Sequence, residues 1–323
     1  MRVAVCALFV LSLVNAVSAE PAFPIDKIDD NHKARDFIEE KLSNADCSEL
    51  SELARDLVTR IDAASVRPGE TFSRAEHVLY FAAHQLLIGI DQHPCESGEV
   101  LELVRALIEA RWYRWQWSDA LAGAILTRPP SPERSAIAML ALQDERLRLQ
   151  MPVAAALGQV ITENDRTRLI RYLETVFDEP MQDSMVYEKV LNALTTSMDP
   201  RVPDVFRALE AEINTNEWMA DQPRLAEILI DGLHYRSRIA KARSVEEILE
   251  LRQWDTSFQP VFLVSVLRLS ESPACGLDAI GINRAELERP KIGDFGQTGH
   301  WTKAVLYSGI LSALAESERD NQR

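Results

Sequence analysis

Residues 144–176 read DERLRLQMPVAAALGQVITENDRTRLIRYLETV. Two short amphipathic helical patterns flank the polar run Thr162-Glu163-Asn164-Asp165. In the first pattern Leu147, Val153, Ala154, Leu157 and Val160 fall near one helical face. Ala155 and Ala156 beside them are small enough to let a neighbouring helix come close, which suits helix-on-helix packing. A helix, a short polar turn and a second helix is a unit that recurs along most of the chain.

Working outward, the spacing predicts helices over 145–161 and 164–177, then over 184–196, 202–213, 224–235, 245–253, 260–269 and 301–315. Towards the N-terminus it predicts 31–42, 46–61, 71–90, 98–112, 118–126 and 133–142. The stripe Leu50, Leu53, Leu57, Val58 and Ile61 is the clearest of these, with Asp46 or Ser48 as its cap. Ser73 and Glu76 have capping-box spacing before the next apolar helix. Pro129, Pro130 and Pro132 lack backbone donors and restrict their predecessors, so they end the helix before them. No window shows sustained strand alternation, and the fold class read from the chain is all-α.

Asp144-Glu145-Arg146 and Asp199-Pro200-Arg201-Val202 each lead from a turn with a carboxylate and an arginine into a helix. The first is followed by Ala154-Ala155-Ala156-Leu157-Gly158-Gln159-Val160. Over about residues 131–235 this resembles the HEAT-repeat family of paired-helix solenoids. The resemblance implies that Asp144 and Asp199 cap turns and that Arg146 and Arg201 tie neighbouring repeats. No strict period of about 40–47 residues runs through the chain. The expected architecture is therefore an irregular HEAT-like solenoid of stacked antiparallel helical hairpins, with an α/α toroid as the alternative.

The first nineteen residues read as a signal peptide: Arg2, an apolar run over 3–14, then Ala16-Val17-Ser18-Ala19 at a cleavage site. The run is shorter than the roughly 20 residues of a membrane span; a retained anchor is the alternative. Residues 20–30 form a polar lead-in, 31–275 a helical-repeat domain, and 276–323 a less regular C-terminal cap where Gly276, Gly281, Gly293, Gly296 and Gly299 cluster. No later segment has membrane-spanning length without charges, so the expected location is periplasmic or secreted. With 35 Lys+Arg against 50 Asp+Glu the net charge is −15. That balance repels nucleic acid and anionic lipid, and leaves basic proteins or plain solubility as its meaning. In an oxidising compartment Cys47 and Cys95 are the expected disulfide. Cys275, placed in a turn at 272–276, is then the odd thiol.

Arg111, Trp112, Tyr113, Arg114, Trp115, Gln116 and Trp117 form the most unusual local cluster. Indole faces stack on sugars, and arginine pairs with carboxylates, so Arg111, Trp112, Arg114, Trp115 and Trp117 are the candidate partner-binding residues. The alternative is a buried helix–helix corner. His77 and His84 lie seven residues apart, about 10 Å along a helix, too far for one metal ion. No metal or cofactor is expected. Residues 291–301 are glycine-rich before a helix but match no nucleotide-binding pattern. No nucleophile motif appears. A solenoid's extended concave surface suits binding more than catalysis. The functional expectation is an exported scaffold for a protein or peptide partner in the cell envelope, with a glycan-binding or carbohydrate-active protein as the alternative.

Overall fold

Helix starts follow the capping chemistry written in the sequence. The Asp46 side chain accepts from the backbone N–H of Ser48 and Glu49, while Glu49 accepts from the N–H of Asp46. This reciprocal box satisfies donors that no intrahelical carbonyl can reach. Ser73 and Glu76 exchange the same pair of bonds. Asp30, Ser131 and Ser244 cap three further helices.

The computed structural model describes residues 22–64, 73–90, 99–110, 121, 124–126, 128–145, 151–175, 184–251, 259–270 and 273–280. The expected leader 1–19, Cys95, the cluster 111–117, Arg146, the glycine-rich 291–301 and the helix expected at 301–315 lie outside the described residues. The named elements are all helices: α1 Asn31–Asn44, α2 Cys47–Ala63, α3 Arg74–Ile90, α4 Glu99–Glu109 and α5 Pro132–Gln143. Next come α6 Met151–Leu157, α7 Glu163–Thr175, α8 Ser184–Thr196 and α9 Val202–Thr215. Last are α10 Glu217–Ala220, α11 Pro223–Lys241, α12 Val245–Glu250, α13 Gln259–Leu269 and α14 Pro273–Ile280. The protein is all-α. Among the described residues no helix is long and apolar enough to cross a membrane.

Three places depart most from the sequence reading. The helix expected over 145–161 is helical among its described residues only from Met151 to Leu157. It ends where Gly158 meets α8: a Cβ there would sit 1.9 Å from the Ala193 carbonyl oxygen. The helix expected to stop at Tyr235 runs on to Lys241, because Ile239 and Ala240 are still buried against the core. Cys275 is not in a turn. Pro273 is pre-organised for a first helical position, and the Cys275 side chain lies exposed on α14.

Packing follows a next-but-one rhythm: α1 on α3, α2 on α4, α6 on α8, α7 on α9 and α9 on α11. One apolar core runs from Phe23 to Ala240. A second joins Ala155 to Tyr235, Ile239, Ile248, Val261, Val266 and Leu267. It forms because α13 packs back onto α6 and α8, with six described helices between α6 and α13 in the chain.

Helix α8 is the hub, touching α5, α6, α7, α11 and α13. Its buried polar side chains serve its neighbours' ends. The Lys189 Nζ donates to the carbonyls of Ala141 and Asp144 at the end of α5 (3.2 and 2.6 Å). The Thr196 Oγ1 donates to Ala155 O at 2.5 Å. Arg268 of α13 donates through Nη1 to Thr196 O, capping α8 in turn. Cations suit helix C-termini, where unpaired carbonyls carry partial negative charge.

Candidate binding surface

Two polar clusters tie helices to one another. In the first, Asp165 of α7 accepts from the hydroxyls of Ser135 and Thr162 and from Arg168, while the backbone N–H of Thr162 donates to Ser135 Oγ. Burial pushes the Asp165 pKa up, but the hydrogen bonds from Ser135, Thr162 and Arg168 outweigh it and leave the carboxyl below its usual value. In the second, Asp199 accepts from the backbone and the guanidinium of Arg201. The hydrogen-bonded Arg201 side chain holds that carboxyl low as well, helped by the charge of Arg166. Arg201 reaches on to Thr167 of α7, and Arg166 Nε lies 3.6 Å from Asp199. Asp199 thus caps its turn, and Arg201 bridges from that turn to α7. Asp144 instead ends α5, its N–H donating to Leu140 O.

Neither cluster is poised for acid–base work. A general base near neutral pH needs a carboxyl pKa raised towards 7, and these are lowered. His84 is fully buried on α3, and burial pulls its pKa down to about 3, so the imidazole is neutral. His77, two turns earlier near the same face of α3, is half-buried. Among the described residues no group of three or more His, Cys, Asp or Glu side chains could hold a metal ion.

The residues singled out at the aromatic cluster, Arg111, Trp112, Arg114, Trp115 and Trp117, lie outside the described residues. No complete disulfide pair lies among the described residues either; Cys47, the first residue of α2, is disulfide-bonded.

What the described surface does offer is an apolar strip on α10 and α11. Asn216 caps α10 by accepting from the N–H groups of Trp218 and Met219. This tight turn buries Met219 and leaves Trp218 50% exposed. Helix α11 packs against α10 and α9. Its second half is anchored by Leu233, Tyr235, Arg236 and Ile239, all buried. Its first half, residues 223–231, contains no buried residue although Leu225, Ala226, Ile228, Leu229 and Ile230 are apolar. Leu225, Ala226, Leu229 and Ile230 lean partly on the core, and Ile228 is 65% exposed. Glu217, Asp221, Glu227 and Asp231 around it are all exposed, against the single cation Arg224. Isolated exposed apolar residues need no explanation, whereas a contiguous apolar strip rimmed by polar groups marks an interaction site.

Sequence reasoning missed Trp218 and Ile228. The signal was present in Pro223-Arg224-Leu225-Ala226-Glu227-Ile228-Leu229-Ile230, whose apolar arc is wider than one buried stripe requires. Comparison with known proteins brings no match: no family model, no curated protein and no solved structure matches the chain.

Proposed function

We propose that this chain is an exported binding or scaffold protein that engages a protein or peptide partner in the cell envelope. The observation that carries the reading is that Trp218 and Ile228 stand exposed on two helices in contact with each other, in a stretch whose Glu217, Asp221, Glu227 and Asp231 are exposed as well. Tryptophan is enriched among residues that dominate binding energy, and its indole covers a large area at low entropic cost. The aromatic residues Trp112, Trp115 and Trp117 with Arg111 and Arg114 are a second proposed contact surface. Degenerate HEAT-like stacking over 131–235 is the proposed scaffold, supported by the bridge from Arg201 to Thr167.

The test is a cross-linked pull-down from envelope extract with three baits: the wild-type chain, Trp218→Ala with Ile228→Ser, and Trp115→Ala with Trp117→Ala. A near-stoichiometric protein lost from the second bait supports the α10–α11 strip; loss from the third alone moves the surface to the aromatic cluster. No protein partner on any bait, together with tryptophan quenching by oligosaccharides, would replace this reading with glycan recognition. Cleavage after Ala19 and a Cys47–Cys95 disulfide belong to the same proposal. N-terminal sequencing of secreted protein and peptide mapping without reductant check both. An intact leader, or Cys47 linked elsewhere, would remove them.

A further inference from the structure

Ile228 stands on a border. At about 100° per residue around a helix, Leu225 and Leu229 fall on one flank of it, while Arg224, Glu227 and Asp231 fall on the other. The leucine flank leads into the core, where both side chains are partly buried. The other flank leads to solvent: Glu227 and Asp231 are exposed, as are Glu217 and Asp221 in the residues just before α11. Exposed apolar surface therefore meets one edge of concentrated negative charge.

We infer that the α10–α11 strip receives an amphipathic helical segment of a partner protein whose apolar face is bordered by lysine or arginine. This inference rests on the binding reading above. Three observations choose the occupant. The strip is a ridge of helical side chains at i, i+3 and i+4 spacing, and every named element is a helix, so the matching partner is a helix packing ridge into groove. Four carboxylates against one arginine over residues 217–231 favour a cationic border, and the net charge of −15 steers such a segment towards the surface. A second copy of this chain would bring the same carboxylates together, and like charges facing each other oppose that pairing.

The experiment uses two labelled synthetic helices of equal length with the same leucine face, one flanked by lysine and one by glutamate. Each is titrated with the full chain and followed by fluorescence anisotropy. The expected result is saturable binding of the lysine-flanked helix, weakened by added salt, with little binding of its counterpart. Trp218→Ala with Ile228→Ser should weaken it about 30-fold or more, because truncating a central aromatic anchor removes a dominant contact. Glu227→Gln with Asp231→Asn should weaken it by about 5-fold while leaving the apolar contact intact. Equal affinity for the two helices, or indifference to the Glu227 and Asp231 changes, overturns the basic partner alone. Indifference of both helix binding and envelope capture to the Trp218 and Ile228 changes overturns the binding role of this strip as well.

Discussion

Replacing Gly158 with alanine tests whether the contact between α6 and α8 is as close as described. The added Cβ would lie 1.9 Å from Ala193 O, 2.6 Å from its C and 2.7 Å from its Cα. Non-bonded carbon needs about 3.5 Å, so the two backbones must part by roughly 1.5 Å. All three obstructing atoms are main chain, and α8 is held by α5, α7, α11 and α13, so no side chain can swing aside. Overpacking a core costs about 1–3 kcal/mol, and this geometry argues for the upper end. Parting the helices also stretches the bond from Thr196 to Ala155, worth about 1 kcal/mol. The expected loss is about 4 kcal/mol, or roughly 6 °C in Tm for a chain of this size. The sign is informative: at an uncrowded site the same substitution stabilises by about 0.4–1 kcal/mol through the unfolded chain. Urea denaturation followed by circular dichroism reads the difference. A Gly158→Ala protein as stable as wild type, or more so, would refute the close approach.

Gly276→Ala is the matched control. Its nearest neighbour is the Ser270 hydroxyl at 2.5 Å, a side-chain atom that can turn away, so the same assay should read a loss under about 1 kcal/mol. Met198 sits at φ 60° just beyond α8 and is 45% exposed. Met198→Gly should therefore raise stability by about 1 kcal/mol in a thermal melt, since the strain goes and little burial is lost. Asp165 and Asp199 have folded pKa values below the ordinary 3.8, so their stabilisation is present above that value and lost as pH falls through the lower folded ones. The urea midpoint should drop between pH 5 and pH 2 (about the span of that window) by less in Asp165→Asn with Asp199→Asn than in wild type.

The helical class and most helix positions were legible because capping and periodicity are local. Residues 184–196 carry their apolar spacing within one segment, and α8 has those bounds. The small residues Ala154, Ala155 and Gly158 announced a close neighbour before the neighbour was known. What a local pattern cannot announce is a partner chosen from far along the chain. Thr162 and Asp165 looked like a polar divider; their role as a clamp depends on Ser135, 30 residues earlier than Asp165. The docking of α13 on α6 left no trace in either segment alone. Helix α10 is only four residues long, too short for any periodic signal, and so Trp218 went unnoticed.

The return of α13 onto α6 has an architectural consequence. In an open array each pair of helices touches only its neighbours, so pairs can be gained or lost by duplication and the array simply lengthens or shortens. Here α6 and α13 close a ring of contacts around α8, and both walls share the cluster from Ala155 to Leu267. A helix pair inserted between residues 158 and 259 would push α13 out of register with its seat. The number of helices in this part of the chain is locked, as the number of staves is in a cask.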